Sequence, residues 1–272
     1  MSSKVLRAGR VRLWLEPDDR GLAYGDGVFE TLLVHDGQPV WWSEHWDRLL
    51  RGAQVLGLPA PDQLQVRREC ESLLAGSGQA VLKIILTRGS GGRGYRAPKS
   101  PVPTVILSAH PAPPALLEPV ALRWCKTAIA IQPALAGIKH LNRLEQVLGR
   151  AEWSEPDIFD GIMCDTEDRV VCATSANLFA LVGGRWLTPG VARCGVAGIA
   201  RAWVLANAPN AVETDLSAAE ISHADALFLC NAVRGILPVG RLGLREWTGH
   251  EAVVALRRRL AEAQPAFAFE GQ

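Results

Sequence analysis

Three prolines fall within four residues near the middle of this chain, in the segment Pro-Ala-Pro-Pro at 111–114. They follow a β-like run, Pro-Thr-Val-Ile-Leu-Ser-Ala at 103–109. Because proline fixes φ and has no backbone N–H, such a cluster favours an extended, semi-rigid connector over a helix or an inner strand. We therefore predict a small N-terminal domain at 1–110, a linker at 111–116 and a larger C-terminal domain at 117–272.

Hydrophobic patterning on both sides of this linker mixes strands with helices. In the N-terminal part it predicts short strands at 11–15, 31–34, 39–42 and 81–87, and a helix that is capped by Ser43 and ends at Gly57. In the C-terminal part it predicts strands at 120–131, 158–163, 169–172, 177–181 and 226–230, and helices at 196–206 and 251–263. One more helix has a repeating apolar face that predicts core packing, formed by Leu141, Leu144, Val147, Leu148 and Ala151. Because strands and helices follow no regular βαβ period, the pattern indicates an α+β fold of two domains rather than a doubly wound sheet.

The chain carries almost no net charge, with 29 basic against 28 acidic residues among 272. Nucleic acids and anionic membrane surfaces are recognised by a basic excess on one face, so we expect neither partner. Any anion bound here must then be met by individually placed arginines. The six cysteines form no CxxC pair and the N-terminus has no apolar stretch of signal-peptide length, which favours reduced thiols and a cytoplasmic location.

A glycine pattern, Gly89-Ser-Gly91-Gly-Arg-Gly94, directly follows a predicted strand. A dinucleotide site needs a helix N-terminus right after these glycines, and the prolines at 98 and 101 prevent one. We interpret the segment instead as a flexible loop that carries Arg88 and Arg93, two cations suited to a carboxylate. The alternative is a solvated surface loop with incidental arginines. No GxSxG motif and no closely spaced histidine pair supports hydrolase or zinc chemistry.

Lys139 lies where an apolar strand end meets the start of a helix. At such a junction an amine can be partly desolvated and its pKa lowered towards the range of a Schiff-base nucleophile. The sequence alone leaves open that Lys139 is an ordinary surface lysine.

Six segments together carry a resemblance, and they lie at 20–31, 45–49, 87–95, 137–148, 175–179 and 194–199. In this order they resemble the fold-type IV pyridoxal phosphate enzymes, the class IV aminotransferase family. The segments at 87–95 and 137–148 resemble most the aminodeoxychorismate lyases within it. The resemblance implies a pyridoxal 5'-phosphate cofactor, a homodimer, and 4-amino-4-deoxychorismate as the substrate that is split into 4-aminobenzoate and pyruvate.

Residue roles follow from the same resemblance. Lys139 would bond the cofactor and shuttle the proton, and Arg48 of the HxxRL motif would bind the cofactor phosphate. The backbone amides that would complete the phosphate site are those of Ile199, Ala200, Asn231 and Ala232. Arg88 and Arg93 would bind the substrate carboxylates.

Cys172 departs from the family pattern. Five residues before Asn177, most members carry a glutamate that keeps the pyridine nitrogen of the cofactor protonated, and here a thiol would lie at that nitrogen. A thiol with an ordinary pKa of about 8.5 cannot replace the carboxylate unless it ionises. The departure favours elimination over transamination, as does Phe29 where D-amino-acid aminotransferases have a tyrosine. A D-amino-acid or branched-chain aminotransferase, a weakly active member of the family and a non-catalytic anion-binding protein remain as alternatives.

Overall fold

The computed structural model describes residues 2–12 and 14–268. The chain forms two compact units. The first unit runs to Pro113 and also includes Ile138–Asn142, and the second comprises Pro114–Gly137 and the chain from Arg143 onwards. The division after Pro113 falls within the segment expected as a linker, whereas nothing in the sequence assigns 138–142 to the first unit. None of the helices in the described ranges has the length and apolar character that a membrane span requires.

The first unit is built on a six-stranded sheet with the order β2-β1-β6-β5-β3-β4, in which every pairing is antiparallel. Its strands are β1 Ser2–Arg7, β2 Arg10–Arg12, β3 Gly27–His35, β4 Gln38–Pro39, β5 Gln79–Thr87 and β6 Thr104–Pro111. Its helices are α1 Arg20–Tyr24, α2 Trp42–Leu56 and α3 Gln63–Leu74. Apolar side chains of α2 and α3 share one core with alternate residues of β3 and β5, among them Leu32, Leu49, Val66 and Leu82.

Two local predictions for this unit are wrong. The strand expected at 39–42 is only the two-residue β4, and α2 begins already at Trp42. Its N-cap is Trp41 in the left-handed region, with no side-chain cap, so Ser43 does not cap it. The predicted end is confirmed, because Gly57 terminates α2 at φ 61° and donates to the Ala53 carbonyl. The strand expected at 11–15 overlaps β2, and its residue 13 lies outside the described residues.

The second unit contains a nine-stranded mixed sheet with the order β12-β11-β10-β13-β14-β7-β8-β9, and β15 pairs with β14. Its strands are β7 Val120–Trp124, β8 Ile158–Cys164, β9 Val170–Ala173, β10 Asn177–Val182, β11 Arg185–Pro189, β12 Val212–Thr214, β13 Ala226–Asn231, β14 Gly235–Leu242 and β15 Arg245–Glu246. Its helices are α4 Leu144–Arg150, α5 Ile199–Asn207, α6 Ala218–His223 and α7 Glu251–Ala263. The predicted α+β class with mixed strands and helices is confirmed.

Helix α4 differs most from expectation. It begins at Leu144 rather than near Leu141, and its apolar face does not pack into a core. Leu144 is 75%, Val147 60% and Leu148 60% exposed. The helical period of these residues is right, but periodicity cannot tell which surface covers the face. The expected core packing is therefore wrong for the single chain.

Candidate active site

Lys139 is positioned by a short backbone pairing with the first half of β3. The pairing consists of Phe29 N–H donating to the Lys139 carbonyl at 2.9 Å and Leu141 N–H donating to the Gly27 carbonyl at 3.0 Å. Strand β4 pairs only with Val34 and His35, so this half of the β3 edge is open to residues 138–142. The Lys139 side chain is half-buried, and its Nζ lies 4.3 Å from the centroid of the Phe29 ring.

Arg48 takes part in a buried charge network between α2 and β3. Its guanidinium donates through Nε to Glu30 Oε1 at 2.8 Å and through Nη2 to Glu30 Oε2 at 2.5 Å. His45 Nδ1 lies 2.6 Å from the same Oε2. The spacing of His45 and Arg48 places both on one side of α2. Glu30 shares one face of β3 with Val28 and Leu32, and this is the face towards the helix.

Electrostatics favour a charged carboxylate and a neutral imidazole in this network. Burial alone would raise the pKa of Glu30, but the Arg48 charge and the hydrogen bonds from Arg48 and His45 outweigh it and lower that pKa. Burial lowers the pKa of His45 below its ordinary value. A neutral His45 then donates from Nδ1, because the carboxylate can only accept. Sequence reasoning gave no role to Glu30 or His45, although both lie inside the segments that carried the resemblance.

The structure uses Arg88 differently from what the sequence indicated. Arg88 is 8% exposed, and its donors are directed inwards. Nε donates to Asp26 Oδ2 at 2.7 Å, Nη2 to the Leu56 carbonyl at 2.6 Å and Nη1 to the Gly57 carbonyl at 2.8 Å. Such a guanidinium anchors the backbone around it and is not directed at a ligand. Arg93, by contrast, is exposed on the segment at 89–94, which we call the glycine loop.

In the second unit, α5 starts in a way that suits an anion. Gly198 is its N-cap, and no side chain caps the first turn. Ile199 and Ala200 are the first two helical residues and are buried, and the amides of a helix's first turn have no acceptor within the helix and lie at its positive end. Asn177 fixes the approach to this turn, since its Nδ2 donates to the Val196 carbonyl at 3.0 Å.

Gly198 is a glycine for a steric reason. A Cβ at this position would lie 2.0 Å from Asn177 Oδ1, far inside contact distance. Asn231 and Ala232, the other expected donors, lie at the end of β13 and in the turn after it. There Asn231 Oδ1 accepts from the amides of Val233 and Arg234 at 3.0 and 2.9 Å, which holds the turn in place.

Cys172 lies in β9, opposite Met163, in an apolar cluster with Ile129, Val171 and Cys194. Burial raises the pKa of its thiol to about 12, so the group is neutral at physiological pH. All six cysteines of the chain are free thiols. A neutral thiol does not supply the negative charge that the family glutamate would bring to this place.

The carboxylates near Cys172 along the chain are engaged elsewhere. Asp160 is 1% exposed, and its oxygens accept from the hydroxyls of Thr174 and Ser175 at 2.6 and 2.7 Å. Asp165 accepts from Arg169 Nε at 2.9 Å, and Glu167 is also paired with Arg169. These carboxylates stabilise the β8–β9 and β9–β10 turns.

The donor groups of each unit fit pyridoxal 5'-phosphate. That cofactor needs an amine for its aldehyde carbon and several N–H donors for its phosphate. The first unit, taken by itself, contains such an amine in half-buried Lys139 and a guanidinium in Arg48, which is paired with Glu30. The second unit, taken by itself, contains the amides at the start of α5, where no side-chain cap competes for them.

The fold and these groups define a class of protein. The amino-transferase class IV family matches residues 27–242, and the chain belongs to this family. The resemblance inferred from the motifs is thereby confirmed.

Individual relatives are similar over nearly the whole chain. The aminodeoxychorismate lyase of Vibrio harveyi is 34% identical over 250 residues, which are 89% of this chain and 92% of the relative. The crystal structure of 4-amino-4-deoxychorismate lyase from Pseudomonas aeruginosa superposes with a TM-score of 0.90 at 41% identity, covering 96% of this chain and 99% of that one. A putative branched-chain-amino-acid aminotransferase of Methanocaldococcus jannaschii is 30% identical over 230 residues, 81% of this chain and 80% of the relative.

Proposed function

We propose that the protein is a pyridoxal phosphate-dependent lyase that converts 4-amino-4-deoxychorismate into 4-aminobenzoate and pyruvate, a step in folate biosynthesis. The observation that carries the proposal is the backbone pairing of residues 138–142 with β3, which presents a half-buried lysine amine at the Phe29 ring. Similarity to two aminodeoxychorismate lyases over most of the chain supports the choice of substrate.

The cofactor, when bound, withdraws electrons from the substrate carbon that bears the amine. Lys139 would hold its aldehyde carbon. Arg48 would bind the phosphate, together with the backbone amides of Ile199, Ala200, Asn231 and Ala232. A helix start and a guanidinium are a suitable pair for a dianion, because each offers N–H donors and positive charge.

Lys139 moves the proton in this reaction. Its amine would take the proton from the ring carbon that bears nitrogen, and the C–O bond to the enolpyruvyl group would break. The electrons of the broken C–H bond form the new ring double bond, and the leaving enolate takes up a proton and becomes pyruvate. Because the ring becomes aromatic, the protein mainly has to orient the substrate and manage this one proton.

Substrate orientation falls to Arg93 in this proposal. The substrate carries two carboxylates, and Arg93 is the exposed guanidinium on the glycine loop of the first unit. Arg88, the second candidate from the sequence, would support the loop from below through Asp26.

An aminotransferase of the same family is the second candidate function. Curated relatives include a D-alanine aminotransferase of Staphylococcus epidermidis, 28% identical over 173 residues. Transamination requires reprotonation on the cofactor itself, which depends on a protonated pyridine ring. The neutral thiol of Cys172 and the absence of a hydroxyl on Phe29 both favour elimination instead.

We also propose a cytoplasmic homodimer. The exposed apolar face of α4 is formed by Leu144, Val147 and Leu148. It supports this assembly, because contact with a second copy of the chain would remove this apolar surface from water.

A paired assay tests the proposed function. The purified protein, loaded with pyridoxal phosphate, is given 4-amino-4-deoxychorismate, and 4-aminobenzoate is measured. In parallel it is given D-alanine and 2-oxoglutarate, and glutamate is measured. We expect lyase activity to dominate and Lys139→Ala to abolish it together with the visible absorption of the bound cofactor. Dominant transamination would favour the second candidate, and full activity of Lys139→Ala would refute both.

A further inference from the structure

The glycine loop after β5 has a defined backbone conformation, whereas its composition suggested a flexible loop. Gly89 has a φ of +82°, and a Cβ there would lie 1.9 Å from the Val102 carbonyl oxygen. A Cβ at Gly91 would lie 2.7 Å from Arg20 Cδ, and Gly94 has a φ of +86°. Gly89 and Gly94 therefore allow left-handed backbone, and Gly91 allows the loop to pass directly over the Arg20 side chain.

The side chain of Arg20 lies beneath this loop and contacts it. It is the first residue of α1, is 4% exposed, and uses all three nitrogens of its guanidinium. Nε donates to Asp26 Oδ2 at 2.8 Å, Nη1 to the Gly94 carbonyl at 3.0 Å and Nη2 to the Tyr95 carbonyl at 3.0 Å. A planar fork with several donors can hold one carboxylate and two consecutive carbonyls at the same time, and an ammonium group cannot reproduce that geometry.

Aromatic contacts close the other side of the guanidinium. Its carbon lies 4.8 Å from the centroid of the Tyr24 ring, within cation–π distance. The Tyr24 hydroxyl accepts from the Gly94 amide at 3.2 Å, and the Tyr95 ring meets the Tyr24 ring edge-on at 5.6 Å. Gly94 is thus held through both its N–H and its carbonyl.

The base of the loop is fixed by the same carboxylate. Asp26 accepts from Arg20 and also from Arg88, which binds the end of α2 through the Leu56 and Gly57 carbonyls. Both ends of the glycine segment are therefore anchored to one ion-pair cluster of Arg20, Asp26 and Arg88, while Arg93 between them stays exposed.

We propose that Arg20 is a positioning residue for substrate carboxylate recognition: it fixes Gly94 and Tyr95 so that Arg93 is presented in a preorganised state. The proposal rests on the proposed function, in which Arg93 binds a carboxylate of the substrate. Preorganisation matters because a cation on a mobile loop must pay the entropy of ordering that loop each time a ligand binds. Arg20 itself is buried beneath the loop and acts through Arg93.

A double-mutant cycle tests the coupling. Arg20→Lys, Arg93→Ala and the double variant are compared for kcat and KM with 4-amino-4-deoxychorismate. We expect each single variant to raise KM by about tenfold with kcat within about twofold, and the double variant to be no worse than Arg93→Ala. Arg67→Lys is the matched control, since Arg67 also combines an ion pair, with Glu71, and a cation–π contact, with Trp42. Additive effects, or an unchanged KM in Arg20→Lys, would overturn the proposal.

A second measurement does not depend on activity. Trypsin can cut after Arg93, Arg96 and Lys99, and cleavage at these bonds in the cofactor-loaded protein is followed by mass spectrometry. We expect Arg20→Lys to be cut there at least about tenfold faster than wild type, with other sites unchanged. Tyr24→Phe removes only the acceptor of the Gly94 amide and should show the same trend more weakly, so it carries the test if Arg20→Lys does not fold.

The two measurements separate the possible failures. If wild type has no lyase activity but Arg20→Lys is cut faster in the loop, the proposed function is refuted, whereas the conclusion that Arg20 fixes the loop stands. Unchanged cleavage in both Arg20→Lys and Tyr24→Phe would refute the positioning role even if the lyase activity is found.

Discussion

The amine of Lys139 and the ring of Phe29 are in direct contact, with 4.3 Å between Nζ and the ring centroid. The same two residues are also joined through their backbones by the hydrogen bond from Phe29 N–H to the Lys139 carbonyl at 2.9 Å. The face of an aromatic ring attracts a cation. Phe29 therefore favours the charged form of the lysine, the form that Lys139 would take on in the proposed reaction after accepting a proton from substrate.

Replacement of this ring should slow the proton transfer. Phe29→Leu removes a cation–π contact of about 0.5–1 kcal/mol, which corresponds to a fall in kcat of about two- to fivefold with KM little changed. Steady-state production of 4-aminobenzoate measures it. Phe29→Tyr keeps the ring and is the control. An equal fall in both variants would point to packing at residue 29 in place of the ring face.

Loss of the Glu30 charge should destabilise the first unit. Glu30 is 1% exposed and is paired with Arg48. In Glu30→Gln the buried guanidinium loses its counter-charge, and we expect the free energy of unfolding to fall by about 3 kcal/mol at pH 7. Glu71→Gln, which breaks an exposed pair with Arg67, should change it by less than about 1 kcal/mol.

The difference in the free energy of unfolding between wild type and Glu30→Gln should depend on pH in a definite direction. Because the pKa of Glu30 is lowered in the folded state, its contribution is complete above the unfolded pKa of about 4.3 and is lost as the pH falls through the folded pKa. The free energy of unfolding of wild type should therefore approach that of Glu30→Gln below about pH 4. Urea unfolding at several pH values between 7 and 3 measures it, and a gap that stays constant down to the lowest pH would contradict this account.

The elements that local signals define were predictable from the sequence. Helix α7 has the predicted bounds Glu251–Ala263, and Gly57 ends α2 as expected. Both depend on amphipathic spacing and on residues that start or stop a helix. The junction expected at Lys139 is wrong, because β7 ends already at Trp124 and Lys139 lies in the short segment that pairs with β3, before α4 begins at Leu144.

The features that depend on long-range packing were not predictable. The pairing of Glu30 with Arg48 requires β3 to lie against α2, and the internal use of Arg88 requires Asp26 and the end of α2 to converge. The sequence shows these as isolated charges. The capping prediction for Ser43 failed because Trp41 takes the left-handed conformation at the helix start, which no local pattern indicated.

A methyl group at Gly198 should weaken cofactor binding. The Cβ of Gly198→Ala would overlap Asn177 Oδ1 and displace the turn before α5. A shift of about 1 Å in such a site can cost up to about 100-fold, so we expect the dissociation constant for pyridoxal phosphate to rise by at least about tenfold. Quenching of tryptophan fluorescence measures it. Gly249→Ala is the control, because a Cβ there meets nothing within 4 Å. Equal affinities in the two variants would refute a phosphate site at this turn.

A charge on the apolar face of α4 should weaken the proposed dimer. Leu148 is 60% exposed in the single chain, and burial of one such side chain is worth about 1.5–3 kcal/mol. In Leu148→Asp we expect the dimer dissociation constant to rise by at least about tenfold, measured by analytical ultracentrifugation. Leu244→Asp changes a fully exposed leucine in a strand-connecting turn and should have no effect. A Leu148→Asp protein that dimerises like wild type would place the interface elsewhere.

Restoration of the family carboxylate at Cys172 should shift the reaction towards transamination. In the proposed site the neutral thiol would give the pyridine nitrogen no negative partner, because burial raises the pKa of Cys172 to about 12. A glutamate at this position would stabilise the protonated ring, on which transamination depends more strongly than elimination does. In Cys172→Glu we expect the ratio of D-alanine transamination to lyase activity to rise by about tenfold, equivalent to about 1.4 kcal/mol of transition-state preference. Cys172→Ser, which keeps a small neutral side chain, should leave the ratio near that of wild type. An unchanged ratio in a Cys172→Glu protein that still binds the cofactor would show that this position does not select between the two reactions.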